Sequence, residues 1–361
     1  MKYYTPTKIL SYNAKYNMII GERSNGKTFS IWEYGLKRYC ETKTQMAVVR
    51  RWQDDFKGKR GAEMASGIVN EGLVKKYSKG QWDRITYRSG MWYLAKLGEN
   101  EEIIKDVTPF AYGFALSAME HDKSTSYPNI TTVLFDEFLT RDYYLPNEFV
   151  IFMNVLSTII RDRSNVTIFM LGNTVNKYSP YFDEMGIKHI KDMKKGSIDL
   201  YEYGDSGLKV AVEYCQPNKQ GKKSDVYFAF DNPKLNMITG GEWELDIYPH
   251  CPTKYTNKDI HFKYFILFGE ETLQCDIIYT DHGYYTYIHK KTGDIKYPDE
   301  DIVFTAEPIY KRNYRRKITN PYDEIGKKIY KFFQTDKVFY QSNDIGELVR
   351  NYLIWCKHSS I

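Results

Sequence analysis

The segment Gly21-Glu-Arg-Ser-Asn-Gly26-Lys27-Thr28 satisfies G-x-x-x-x-G-K-[ST] at every position. The chemistry this spacing serves is phosphate binding. Glycines let successive backbone N–H groups curl inward around an anion, and a helix starting at the loop adds the positive end of its dipole. In such a loop Lys27 reaches the β- and γ-phosphates and the Thr28 hydroxyl can ligate Mg²⁺. Gly21, Ser24, Asn25, Gly26, Lys27, Thr28 and the following Phe29 are therefore candidate nucleotide-binding residues.

A phosphate loop of this kind needs an acidic partner. Val133-Leu-Phe-Asp136-Glu137 is a run of β-formers ending in two carboxylates. At the carboxyl edge of a parallel sheet, Asp136 would hold Mg²⁺ through a water. Glu137 is placed to polarise a water for in-line attack on a γ-phosphate. This pairing favours hydrolysis over phosphoryl transfer to a small molecule, because hydrolysis needs a base for water. A later apolar run, Val166 to Leu171, is followed by Gly172-Asn173, and Asn173 is a candidate γ-phosphate sensor. Arg161-Asp-Arg163 lies just before that run. It reads equally as an arginine finger for a neighbouring subunit or as charges that complement a helix end.

These groups must be carried by alternating strands and helices. The pattern predicts a strand over Asn17 to Ile20, a helix over Thr28 to Cys40 and a strand over Met46 to Val49. It continues with a hairpin around Ser89-Gly90, strands near Phe110 to Leu116 and Thr131 to Phe135, and a helix from Pro146-Asn147 to about Ile160. Strands that read as continuous apolar runs indicate a mainly parallel sheet covered on both faces, an α/β fold. The polar stretch Gln216 to Ser224 and the break at Tyr248-Pro-His-Cys-Pro252 suggest three parts. These are an ATPase-type domain over 1–215, a linker module over 216–255 and a smaller α+β domain over 256–361. In the last part strands are expected over Phe262 to Phe268, Cys275 to Thr280 and Tyr284 to His289, with the final 40 residues helical.

Composition bounds the rest. The 361 residues are 42% apolar and 27% charged, ordinary for a globular protein. The net charge of +5 permits a nucleic-acid partner without demanding one. Five cysteines without a C-x-x-C pair point away from a disulfide framework or zinc site and toward a reducing compartment. No apolar run approaches the ~20 residues of a membrane helix, so no membrane role is expected.

With these motifs in place, the chain resembles the DNA-packaging motor ATPases of phi29-like short-tailed bacteriophages, relatives of terminases in the ASCE P-loop superfamily. Lys8 to Tyr12, the phosphate loop, Val49-Arg-Arg51, Ser126-Tyr-Pro-Asn129, Thr132 to Phe138, Pro146-Asn-Glu148, Arg161-x-Arg163, Gly172-Asn173 and Pro180-Tyr-Phe182 carry the resemblance, in the family's order. It implies an ATPase using ATP and Mg²⁺, assembled as a homo-oligomeric ring, usually a pentamer. It implies double-stranded DNA and the procapsid portal as partners, with a structural packaging RNA as a further one. The implied location is the host cytoplasm, with transient attachment to the procapsid. Carried over by position, Arg161 is a better trans finger than Arg163, Lys123 is a second trans-acting candidate, and Arg23 matches an extra basic residue of terminase loops.

The family's C-terminal domain is RNase H-like and a degenerate nuclease. An active one needs clustered carboxylates holding two metals. Lys263 to Phe268 contains no acid and Asp276 stands alone in its strand, so no nuclease activity is expected. The alternatives are a terminase with a working nuclease, a small-molecule kinase and a nucleotide-gated scaffold. Lys311, Arg312, Arg315, Arg316 and Lys317 form a basic cluster whose expected partner is nucleic-acid phosphate.

Overall fold

The computed structural model describes residues 3–216 and 248–358, except for residues 24, 122–125, 142–143, 175–178, 206, 252–253 and 281–282. Ser24, Lys123 and most of the expected linker module lie outside the described residues. The chain divides into two compact units, Met1–Glu244 and Leu245–Ile361.

In the first unit α1 (Thr7–Leu10) precedes β1 (Tyr16–Gly21), α2 (Lys27–Thr42) and β2 (Gln45–Arg50). Three short helices follow, α3 (Gly58–Glu63), α4 (Ser66–Asn70) and α5 (Leu73–Tyr77). Then come β3 (Arg84–Arg88), β4 (Met91–Leu97), β5 (Ile103–Lys105), β6 (Ala111–Ala115) and β7 (Ile130–Asp136). The unit continues with α6 (Glu148–Ile160), β8 (Thr167–Asn173), α7 (Pro180–Glu184), β9 (Ile198–Tyr203) and β10 (Leu208–Tyr214). The sheet order is β3-β4-β6-β2-β7-β8-β1-β10-β9, with β5 beside β4. The stretch β6-β2-β7-β8-β1-β10 is parallel throughout. The flanking strands are antiparallel. The fold is thus mixed α/β on a large, mainly parallel sheet.

Successive strand residues face opposite sides, and β1 shows what this builds. Met18 and Ile20 join one core with Phe152, Val155 and Ile159 of α6. Ile19 joins another with Ile31, Trp32 and Leu36 of α2. Each fully buried aliphatic or aromatic side chain contributes roughly 1.5–3 kcal/mol before chain entropy is set against it. Two such layers hold the strands in register. The expected hairpin is present, and Ser89 and Gly90 both have positive φ, as a two-residue turn between twisted strands requires.

The second unit contains β11 (Ile260–Phe268), β12 (Glu271–Thr280), β13 (Gly283–Lys290), β14 (Ile302–Thr305) and β15 (Tyr314–Arg315). After them come α8 (Glu324–Gln334), β16 (Val338–Tyr340) and α9 (Asn343–His358). The sheet order is β15-β14-β11-β12-β13-β16. The last 40 residues are not all helical, contrary to the expectation. β16 interrupts them because Val338-Phe-Tyr340 pairs in parallel with β13 and forms the edge of the sheet. Among the described residues, no helix is long and apolar enough to cross a membrane.

Candidate active site

Because β2, β7, β8 and β1 are parallel neighbours, their carboxyl ends converge on one edge of the sheet, where ligands of open α/β sheets bind. β1 ends at Gly21 and opens into the phosphate loop. A Cβ at Gly21 would lie 2.9 Å from Cβ of Cys215 on the neighbouring strand end. Gly26 has φ +88° and starts α2, and a Cβ there would lie 2.9 Å from the Tyr3 ring. Both conformation and space therefore select glycine at position 26.

The loop encloses a cavity of about 650 Å³ whose lining includes Arg23, Lys27, Thr28, Asp136, Glu137 and Asn173. Asn25, Gly26 and Phe29 also border it. Lys27 is 5% exposed. Its Nζ donates to the carbonyls of Glu22 at 2.6 Å and Gly21 at 3.3 Å, and to Asn173 Oδ1 at 3.4 Å. Burial pushes the Lys27 ammonium down to about 8, against the pull of Asp136 and Glu22. Thr28 Oγ1 donates to Asp136 Oδ1 at 3.0 Å. Burial raises the Asp136 carboxyl above its ordinary range, although Arg50 and Thr28 both act to lower it. Asn173 is level with Gly21 in the β1–β8 register, which places it beside the loop.

The sequence reading did not assign Arg50 a role at this site. From the end of β2 its guanidinium spans both acids, with NH2 on Asp136 Oδ2 at 2.9 Å and NH1 on Glu137 Oε2 at 2.6 Å. Burial works against the Arg50 charge, but the two carboxylates more than offset it and leave its affinity for the proton raised. The available signal was an Arg closing a buried strand, where a charge needs a partner. Tyr3 was also missed. Its ring packs on Phe29, centroids 4.9 Å apart, and covers the outer side of the loop.

Arg161 caps the far end of α6, is exposed, and is not among the residues lining the cavity. The 13-residue helix carries it ~20 Å from the helix start. Arg163 does not project outward. Its guanidinium donates to the carbonyls of Ile130 at 2.6 Å, Tyr127 at 3.0 Å and Ile159. That tethering holds its guanidinium on its own chain's carbonyls, whereas a trans-acting finger must reach a neighbour.

In the second unit the basic cluster is not a single cationic face. Arg315 is bound to Asp323 at 2.6 Å and Arg316 lies over the Trp355 ring at 5.4 Å. Lys311 pairs with Asp299 at 2.8 Å in the open, and Arg312 is exposed. Asp276 accepts hydrogen bonds from Tyr255, Gln274 and His289 at 2.9–3.1 Å. Among the described residues, no group of three or more His, Cys, Asp or Glu is placed to hold a metal ion.

Comparison with known proteins gives this geometry a family. The profile of the Podovirus DNA encapsidation protein (Gp16) family matches residues 1–67 and 103–228. The chain belongs to that family. Every residue placed at the cavity above lies inside the two matched segments. The DNA packaging proteins of Bacillus phages PZA and phi29 are each 29% identical over 183 residues, 50% of this chain and 49% of theirs. The chain thus spans about half the length of these curated relatives. A solved structure of the Phi-28 gp11 DNA packaging motor matches with a TM-score of 0.57 at 20% identity, over 99% of this chain and 98% of that one. The bacteriophage Phi-29 viral genome packaging motor assembly matches at 0.59 and 20% identity, over 97% and 96%. At this identity the likeness is one of fold.

Proposed function

We propose that the chain is an ATP-hydrolysing motor that drives double-stranded viral DNA into a procapsid. The observation that carries this reading is the assembly of Lys27, Thr28, Asp136, Glu137 and Asn173 around one cavity, in a member of a DNA encapsidation family. ATP would lay its phosphates on the loop amides and α2's first turn, with Lys27 beside the transferring group. Thr28 and Asp136 offer adjacent hard oxygen donors, a set that suits Mg²⁺, which when bound neutralises phosphate charge. Glu137 takes a proton from water as the water oxygen attacks the γ-phosphorus and the bond to the ADP oxygen breaks. Asn173, bonded to Lys27, would report whether that phosphate is present.

Arg50 makes the site conditional. While it holds Glu137, a carboxylate oxygen is occupied by the guanidinium rather than by water, so turnover requires Arg50 to let go. Arg161, outside the cavity of its own chain, would complete the site of a neighbour in a ring, and a pentamer suits the family resemblance. Portal, packaging RNA and a transient procapsid-bound location in the host cytoplasm belong to the same reading. The second unit's strand order, with β13-β12-β11 antiparallel and β14 parallel to β11, supports an RNase H-like domain. Its first strand, β11, carries no acid, and Asp276 is occupied by protein donors, which argues against nuclease activity. Lys311, Arg312 and Arg316 are the exposed members of the basic cluster and the ones open to DNA or RNA phosphates.

DNA-stimulated phosphate release by the full chain tests this reading. Glu137→Gln should bind ATP yet hydrolyse it very slowly, because the base is gone while size is kept. Loss of binding with unimpaired turnover of bound nucleotide would sink the assignment.

A further inference from the structure

Alternation along the end of β2 sends the two neighbouring arginines to opposite sides. Arg50 reaches the carboxylates of Asp136 and Glu137, while Arg51 turns inward and is 6% exposed. Arg51 Nε and NH2 grip Glu148 Oε2 and Oε1 at 2.7 and 2.9 Å. The same guanidinium reaches the carbonyls of Phe138 at 2.8 Å and Glu137 at 3.3 Å. Glu148 is 1% exposed. It also accepts from the Tyr181 hydroxyl and the Leu145 N–H, both at 2.8 Å.

The backbone that these groups hold is strained. Glu137 has φ +61°, a region that non-glycine residues rarely occupy and that persists only where the surroundings over-determine it. On one side the Phe138 N–H is fixed by the Leu171 carbonyl at 3.1 Å. On the other, Arg51 holds the carbonyl of that same Glu137–Phe138 peptide and the carbonyl of the next. A charged fork buried this deeply needs a carboxylate, and Glu148 supplies it from the first turn of α6.

Building on the ATPase reading above, we propose that Arg51 and Glu148 are positioning residues for Glu137. They hold its strained backbone so that the carboxylate points into the phosphate cavity. Neither touches nucleotide. Without Arg51 the two carbonyls lose their donor and the turn relaxes, swinging the carboxylate away from the attacking water. A displacement near 1 Å can cost about a hundredfold in rate.

The test uses the full chain in DNA-stimulated phosphate release, with binding of a fluorescent ATP analogue measured separately. Arg51→Lys keeps the charge but loses the fork, and Glu148→Gln keeps the shape but loses the charge. Each should lower kcat by about 10- to 100-fold while KM for ATP and analogue affinity stay within about twofold. Tyr181→Phe removes one bond to Glu148 and leaves both carbonyl contacts. It should lower Tm while kcat changes by less than about twofold.

The proposal is overturned if kcat, nucleotide affinity and Tm fall together across all three variants, which is the signature of a structural pair. It is equally overturned if folded Arg51→Lys keeps wild-type kcat. Glu137→Gln measured alongside separates the two levels. If it is inactive and the Arg51 and Glu148 variants are active, only this inference fails. If it keeps wild-type turnover, the ATPase role of Glu137 fails with it.

Discussion

Lys27→Met should stabilise the empty protein while abolishing its turnover. The Lys27 ammonium sits in a site built for a phosphate, and burial lowers its pKa from 10.5 to about 8. At roughly 1.4 kcal/mol per tenfold change in proton affinity, keeping it charged at pH 7 costs roughly 3 kcal/mol. Met fills similar volume without charge. The variant gives up donation to Gly21, Glu22 and Asn173, of which Asn173 lines the cavity and can take water. Allowing about 1 kcal/mol for them leaves a net gain of roughly 2 kcal/mol, or about 4–8 °C in Tm for a unit of this size. The pH dependence has a definite sign. Below about pH 8 the lysine is charged both folded and unfolded, so the full cost applies. Between about 8 and 10.5 the unfolded chain binds the extra proton, so wild-type stability from this group rises with pH. The advantage of Lys27→Met should therefore be largest at pH 7 and shrink toward pH 10. Thermal unfolding without nucleotide at both pH values measures this. A variant less stable than wild type at both, or a gain that ignores pH, would refute the claim that an unpaid phosphate-binding charge strains the empty site.

The other expectations concern the remaining cations. Arg50→Met removes the group that competes with metal for Asp136, so the Mg²⁺ concentration for half-maximal ATP binding should fall. A rise would make Arg50 part of the phosphate site itself. Mixing two inactive variants, Arg161→Ala and Glu137→Gln, should restore ATPase activity where an intact Glu137 meets an intact neighbouring Arg161. An arginine finger contributes roughly a thousandfold or more, so no recovery in rings that exchange subunits would end the trans role. Binding to duplex DNA should ignore sequence and weaken steeply with salt, since a translocating motor holds phosphates. A titration with a flat salt response would count against that.

What was legible beforehand follows how local its cause is. The phosphate loop, Asp136-Glu137 and Gly172-Asn173 each sit where an apolar run stops, so strand ends could be read residue by residue. Arg50 could not, because its partners lie 86 and 87 positions away and become neighbours only when β2 pairs with β7. Glu148 meets Arg51 across 97 positions for the same reason. The basic cluster differs in a related way. Five cations in seven residues look alike on paper, and only the fold shows that Arg315 is paired with Asp323 while Arg316 lies over the Trp355 ring and stays exposed. The strand β16 was hidden because three residues carry too short a pattern to register against two flanking helices.

The arrangement of β2 explains why charge chemistry and backbone geometry meet here. A strand end must present consecutive side chains to opposite faces, so two adjacent arginines cannot do the same job. Arg50 faces the acids and, on the proposed reading, governs whether Glu137 is available as a base. Arg51 faces the interior and, on our reading, governs where Glu137 stands. The first contact is with a side chain that is 60% exposed and can be exchanged for nucleotide and metal. The second is with the buried Phe138 carbonyl, the part-buried Glu137 carbonyl and the buried Glu148 carboxylate, where water competes less. On the proposed reading, availability can therefore change with each turnover while position does not, the separation that repeated firing without loss of geometry requires.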